Sequence, residues 1–134
     1  MKMFGLDTNI VIRLLVDDDP EQRRAALQFG KGLGQDHGAF LSLIGILELD
    51  WALRSRLKFT KKDVTVAVDK LLHTRGIVVE HHNLVIKALK LVETNNADLA
   101  DALIACRSLE EGCESVKTFD RKAAKLVPGM ELLQ

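Results

Sequence analysis

Short apolar runs alternate along the chain with longer segments in which apolar residues return every three or four positions. The short runs predict strands, and the longer segments predict helices with one apolar side. The predicted strands cover residues 2–6, 39–41, 77–79, 115–118 and 130–133. The predicted helices cover residues 8–16, 20–30, 42–57, 61–76, 83–93, 98–111 and 120–126. Strands alternating with helices indicate an α/β fold with a small, mainly parallel sheet.

Several helix starts are marked by local capping signals. Asp19 precedes Pro20, which is typical of an N-cap followed by proline at the first helical position. Thr60 and Asp63 have the spacing of a capping box. Asp98 and Asp101 fall at the N-cap and third positions of one helix, where acids interact favourably with the helix dipole. These signals predict the beginnings of three helices.

The length, hydrophobic content and charge of the chain limit the class of protein. The chain has 134 residues, of which 47% are hydrophobic, enough for one domain spanning 1–134 with a real core. No apolar run approaches the roughly 18–20 residues of a membrane span, so we expect a cytoplasmic protein. Nineteen basic and nineteen acidic residues cancel. Net charge therefore gives no long-range attraction to nucleic acid, although a local basic rim remains compatible with it.

Four acids stand in apolar surroundings far apart in the sequence: Asp7, Glu48, Asp101 and Asp120. Asp7 ends a predicted buried strand, and an isolated buried carboxylate is costly unless it is paired. Asp7 and Asp120 both follow strands directly, so we expect them at one edge of a common sheet. Carboxylate oxygens are the ligands that Mg²⁺ and Mn²⁺ prefer. The pattern predicts a metal-dependent enzyme.

Each acid also has a local structural explanation. Asp7 suits an N-cap or turn, although Thr8 is a second candidate for that cap. Asp120 suits the cap of the next turn, and Glu48 suits the polar side of a helix. Trp51 has helical spacing from Leu47, which favours a place in the core or at a dimer contact over a base-stacking platform.

Four motifs together resemble one family. They are Gly5-Leu6-Asp7-Thr8-Asn9-Ile10, the segment Leu47 to Leu53 that contains Glu48, Asp98-Leu99-Ala100-Asp101-Ala102-Leu103-Ile104-Ala105, and Thr118-Phe119-Asp120-Arg121-Lys122. In order and spacing they resemble the PIN domain, and most of all the VapC-type toxins of bacterial toxin–antitoxin pairs. The resemblance covers essentially the whole chain. It implies a three-layer fold with a small parallel sheet flanked by helices.

The resemblance also implies an activity and its residues. It implies a Mg²⁺- or Mn²⁺-dependent endoribonuclease, a hydrolase whose acid quartet falls on Asp7, Glu48, Asp101 and Asp120. In this hypothesis Asp7 and Asp101 hold the metal directly, and Glu48 and Asp120 complete its shell. Asp98 is an accessory acid, and Asn9 and Thr118 support the first and last acids. Candidate phosphate contacts are Arg13, Arg54, Arg56, Arg121 and Lys122.

The partners implied by the resemblance are RNA, a second copy of the chain and a small antitoxin protein. The helices predicted over 42–57 and 61–74 are candidate dimer elements, although they could equally be core. Three alternatives remain. A phosphohydrolase with an aspartyl nucleophile is disfavoured because position 9 is Asn9, where that chemistry commonly has a second Asp. A non-catalytic domain is disfavoured by the intact quartet. A nuclease of RNA processing without a toxin role is the third.

Overall fold

Every predicted helix and strand is present in the computed structural model, which describes residues 1–134. The chain divides into two compact units, Met1–His82 and Asn83–Gln134. The first contains β1 (Lys2–Gly5), α1 (Thr8–Leu15), α2 (Pro20–Lys31), β2 (His37–Leu41), α3 (Leu43–Ser55), α4 (Lys61–Leu72) and β3 (Ile77–Val79). Then follow α5 (His82–Asn95), α6 (Leu99–Glu110), β4 (Val116–Thr118), α7 (Arg121–Leu126) and β5 (Met130–Leu132).

The sheet of the first unit contains β1, β2 and β3 in that order, all parallel. Ala39, Leu41 and Val79 are buried, whereas Phe40 and Val78, which alternate with them, are exposed. The expectation that β1 is buried is wrong, because Phe4 is 46% exposed and every residue of the strand is open to solvent. As the edge strand of this sheet, β1 has a strand neighbour on one side only.

The helices α3 and α4 each have a buried and an exposed side. Ile46, Leu49 and Leu53 of α3 are fully buried. Trp51 is predicted to lie in the core or at a dimer contact. The core placement is wrong, since 67% of its surface is exposed, and the dimer contact stays a prediction. Apolar residues occur on nearly every side of α3, so their spacing could not identify the buried side. The start of α3 is fixed by a distant acid as well as by its own cap, because the Leu43 amide donates to Glu80 Oε1 at 2.8 Å.

The second unit has its own two-stranded sheet, in which β4 and β5 run parallel with Val116 beside Met130. The predicted α/β class with small parallel sheets is confirmed. The single sheet expected to carry both Asp7 and Asp120 is not formed, because β1 and β4 belong to different sheets. The strand that pairs with β4 is the nearest one along the chain, and such short connections cost little loop-closure entropy. None of the helices combines the length and apolar character that crossing a bilayer requires.

Candidate metal and phosphate site

Asp7 lies between the end of β1 and the start of α1. Its backbone is extended, and its Oδ1 accepts a hydrogen bond from the Thr8 amide at 2.9 Å. Asp7, not Thr8, is therefore the N-cap of α1. This bond uses one lone pair of the carboxylate, which has about four such sites. Since Asp7 is exposed, its remaining acceptor capacity is accessible to a ligand, and a cap role does not exclude a chemical one.

Glu48 is connected to Asp7 through Thr8. Thr8 is only 8% exposed, and its hydroxyl donates to Glu48 Oε1 at 3.3 Å. One residue thus binds both acids, Asp7 through its amide and Glu48 through its side chain. The link joins the start of α1 to the middle of α3, which pack against each other. It connects two acids that are far apart in the sequence, since Thr8 and Glu48 are separated by 40 positions.

These residues line an open cavity of about 390 Å³, which we call the Asp7 cavity. Its lining residues are Asp7, Thr8, Asn9, Leu47, Glu48, Trp51, Ala52 and Arg56. Asn9, predicted to support the first acid, is exposed in this lining. The cavity therefore combines two carboxylates, an amide, a hydroxyl, one guanidinium and one indole ring.

The donor set of the Asp7 cavity fits a hard divalent cation. The two carboxylates, the Thr8 hydroxyl and the Asn9 amide all offer an oxygen atom as a ligand. Neither histidine nor cysteine lines the cavity. Nowhere in the structure do three or more His, Cys, Asp or Glu side chains gather into a metal-binding group. Mg²⁺ usually keeps several waters and needs only one or two direct carboxylates. Asp7 and Glu48 are sufficient in number for that mode.

The acids of the second unit are held by helix starts. Asp98 caps α6 by accepting from the Asp101 amide at 3.1 Å, which confirms the predicted cap and places Asp101 in the first turn. Asp120 caps α7 by accepting from the Ala123 amide at 3.0 Å. The Asp120 amide in turn donates to the Thr118 hydroxyl at 3.0 Å. Thr118 thus orients the backbone of Asp120.

The candidate phosphate-binding arginines of the first unit differ in how far they are engaged. Arg13 donates from Nε to Gln22 Oε1 at 2.9 Å and forms an ion pair with Asp18 at 3.1 Å. These bonds give Arg13 a structural role at the corner between α1 and α2. Arg56 is exposed and lines the Asp7 cavity. Among these arginines, Arg56 is the one that the structure places beside the acids.

Arg54 pairs with an acid that the sequence pattern did not single out. Asp50 is 6% exposed, the most buried acid of the chain, and its Oδ1 lies 3.9 Å from Arg54 Nη1. Both residues lie on α3, one turn apart, so the pair stabilises the helix locally. The predicted Arg121 and Lys122 are exposed in the first turn of α7. They adjoin Asp120 in sequence.

The structure adds Thr8 as a site residue. The local sequence presents Thr8 only as another candidate cap of α1. Its role at the site could not be recognised there, because its partner Glu48 is distant in sequence. A larger cavity of about 490 Å³ lies beside the same loop and shares Asn9 with the Asp7 cavity. Its lining includes Phe4, Ile10 and Phe29 but no carboxylate. The larger of the two cavities is therefore not the one that contains residues able to bind a metal or act as an acid.

Among the solved structures similar to this chain are two protein complexes. A toxin–antitoxin complex from Klebsiella pneumoniae has a chain 20% identical, with 98% of this chain and 96% of that one covered and a TM-score of 0.34. VapBC2 from Rickettsia felis, bound to a DNA fragment from its promoter, has a chain 19% identical, with 98% and 97% covered and a TM-score of 0.38. Both TM-scores are below 0.5, so neither likeness supports a statement about this chain. A search of curated proteins found no match.

Comparison with known protein families gives a match that covers most of the chain. Residues 5–127 match the PIN domain, a span that includes all four acids and most of both compact units. The match begins two residues before Asp7 and ends after the helix that Asp120 caps. It agrees with the resemblance carried by the four motifs. The chain belongs to the PIN-domain family.

Proposed function

We propose that this protein is a divalent-metal-dependent endoribonuclease that hydrolyses RNA phosphodiester bonds. The observation that carries the proposal is the link through Thr8, which holds the carboxylates of Asp7 and Glu48 at one open cavity. PIN-domain proteins are nucleases in type, and this chain belongs to that family. Asp7 and Glu48 would hold Mg²⁺ or Mn²⁺ in this cavity.

The cation, when bound, would stabilise charge on the scissile phosphate and lower the pKa of an attacking water. The chain's own residues supply position and charge. Thr8 fixes the orientation of Glu48, and the cap bond fixes that of Asp7. Arg56 provides a positive charge at the cavity, suited to an RNA phosphate. The negative charges of the acids would bind a cation, and the positive charge of Arg56 would bind the phosphate backbone of RNA.

The proposal includes Asp101 and Asp120 as further catalytic acids and Asp98 as an accessory. It does so because the motif resemblance assigns them these roles. Asp120 caps α7 through one oxygen, and a cap uses a single lone pair, so its carboxylate keeps acceptor capacity. All three acids lie at or in the first turn of a helix, where acids interact favourably with the helix dipole.

We further propose that the nuclease is the toxin of a toxin–antitoxin pair, inhibited by a small antitoxin and active as a homodimer. The support is the specific likeness of the four motifs to VapC-type toxins. The exposed apolar residue Val66 on α4 is available for contacts between copies. A neighbouring reading frame encoding a small, acid-rich, DNA-binding protein would support the toxin role. Its absence would favour a role in RNA processing.

The test is cleavage of a mixed RNA pool by the wild type and by Asp7→Asn, Asp101→Asn and Asp120→Asn. Each is assayed with Mg²⁺, Mn²⁺ or a chelator. We expect metal-dependent cleavage by the wild type and a loss of roughly 100-fold or more in each variant, since several kcal/mol of charge stabilisation correspond to such a factor. Asn is as good an N-cap as Asp, so the capped helices should remain folded in Asp7→Asn and Asp120→Asn.

The matched control is Asp69→Asn, which removes an exposed acid of α4 and should cleave as the wild type does. A second readout is thermal unfolding. A cation bound to the native state raises stability, so Mg²⁺ should raise the melting temperature of the wild type more than that of Asp7→Asn. Cleavage by Asp7→Asn at the wild-type rate would contradict the proposed site. No cleavage by a folded wild type with either metal would contradict the proposed activity.

A further inference from the structure

Trp51 is a large aromatic side chain left open to solvent beside the candidate site. It is 67% exposed although Ala52 and Leu53, which follow it on α3, are buried. Single exposed apolar residues are common and need no explanation. What distinguishes Trp51 is its place, because the wall of the Asp7 cavity contains Asp7, Glu48, Trp51 and Arg56 together.

We propose that Trp51 is a stacking platform for a nucleobase of single-stranded RNA bound in the Asp7 cavity, with Arg56 contacting an adjacent phosphate. The inference rests on the proposed nuclease function and deepens it. It names the substrate as unpaired RNA and gives the cavity a residue that binds a base. A stacking residue of this kind binds and positions the substrate without taking part in bond cleavage.

The geometry of α3 supports this role. Glu48 and Trp51 are three positions apart, so their side chains are neighbours on one side of the helix. A base stacked on Trp51 would therefore lie one side chain away from an acid of the site. The platform is also well supported, because Trp51 belongs to the middle of a thirteen-residue helix. The Ser55 hydroxyl donates to the Trp51 carbonyl at 2.6 Å within that helix.

The chemistry of the cavity favours RNA over a protein on this side of α3. Every base has an apolar ring face, and stacking on aromatic side chains is the usual way in which proteins bind unpaired bases. The phosphates beside that base need positive charge, which Arg56 and a cation held by the acids would supply. A protein covering Trp51 would also cover Glu48, and burying its charge with the Thr8 hydroxyl as the one hydrogen-bond donor described for it would be costly.

The test uses Trp51 itself as the probe. The chain contains one Trp and no Tyr, so its indole fluorescence reports on Trp51 alone. Short oligoadenylate and oligouridylate are titrated in chelator, which prevents metal-dependent cleavage. We expect saturable quenching, at lower concentrations for oligoadenylate because purines stack more strongly. An RNA duplex of the same length should not quench.

The affinity for dye-labelled oligoadenylate is then measured for three variants. Trp51→Ala should weaken binding by about 5- to 150-fold, the usual range for loss of one stacked base. Trp51→Phe should restore most of the affinity because it keeps an aromatic face. Ile44→Ala is the matched control, since Ile44 is 71% exposed on α3 but does not line the cavity. Its affinity for RNA should equal that of the wild type.

Two results would overturn the inference. One is wild-type RNA affinity in Trp51→Ala, with or without a change from dimer to monomer; a change to monomer would identify Trp51 as a dimer contact. The other is an equal loss of affinity in Ile44→Ala and Trp51→Ala. Metal-dependent cleavage by the wild type separates the two proposals. If the wild type cleaves RNA while Trp51→Ala binds it normally, the stacking role is wrong and the nuclease function stands. A wild type that neither binds nor cleaves RNA contradicts both proposals.

Discussion

Asp7 in the first unit and Asp120 in the second have the same local structure and different surroundings. Asp7 caps α1 and Asp120 caps α7, each through one oxygen and a backbone amide. Asp7 is also joined through Thr8 to Glu48 at an open cavity, whereas the bonds around Asp120 run to its own helix and to Thr118. A cap therefore does not identify an acid as structural or chemical. For Asp7 the long-range contact of Thr8 with Glu48 adds support for a chemical role, whereas for Asp120 that support comes from the motif resemblance.

A change at Thr8 tests most directly whether its contact with Glu48 matters for cleavage. Thr8→Val removes the hydroxyl that orients Glu48 and keeps the backbone amide that binds Asp7. Loss of such a supporting bond around metal ligands typically costs 10- to 100-fold in activity, so we expect cleavage to fall by roughly 10-fold. Because the bond is long, at 3.3 Å, the free energy of unfolding should change by at most about 1 kcal/mol. Single-turnover cleavage and urea unfolding measure the two effects.

Thr65→Val is the matched control for that experiment. The Thr65 hydroxyl donates to the Lys61 carbonyl at 3.0 Å within α4, and neither cavity contains the residue. It should cleave RNA as the wild type does. Wild-type cleavage by Thr8→Val, or an equal loss in both variants, would show that the link between Asp7 and Glu48 has no part in the reaction.

Local signals explain why most of the fold could be predicted from the sequence. The Asp19 cap accepts from the Gln22 amide at 3.1 Å, as its position before Pro20 predicts. The capping box of Thr60 and Asp63 is complete in both directions. Such bonds span three residues, so the sequence contains both partners side by side. Helix starts and the order of elements follow from them.

Features that depend on distant partners could not be predicted in this way. The sheet to which β4 belongs depends on which strand it pairs with, and that strand is β5 rather than β1. The buried side of α3 depends on what packs against it, so a core position for Trp51 was wrong and the burial of Asp50 was missed. At the candidate site, the four acids were identified from motifs, but the role of Thr8 required the contact with Glu48 across 40 positions.

Asp98 tests the other side of the comparison, an acid whose observed bond is a cap. Asp98→Ala removes the acceptor of the Asp101 amide and should lower the free energy of unfolding by about 1 kcal/mol. Asp98→Asn keeps an equally good cap, so both stability and most of the cleavage activity should remain. Chemical denaturation and the RNA cleavage assay measure the pair. If Asp98→Asn is stable yet loses as much cleavage as Asp101→Asn, Asp98 is a principal ligand and the contrast with Asp7 disappears.

Asp63 provides the smallest effect and the cleanest example of a purely structural cap. The Thr60 amide and hydroxyl, in that order, hold the pKa of Asp63 below its ordinary value of 3.8. Since the folded pKa lies below the unfolded one, the ionised carboxylate stabilises the protein above pH 3.8, and this contribution is lost as the pH falls through the folded value.

Asp63→Asn keeps an acceptor for the Thr60 amide but cannot titrate. Urea midpoints followed from neutral pH to well below 3.8 should therefore converge for wild type and variant at the acid end. The difference should be small because Asp63 is exposed, and RNA cleavage at neutral pH should be unchanged. Parallel midpoint curves, or a loss of cleavage, would mean that even this cap is not purely structural.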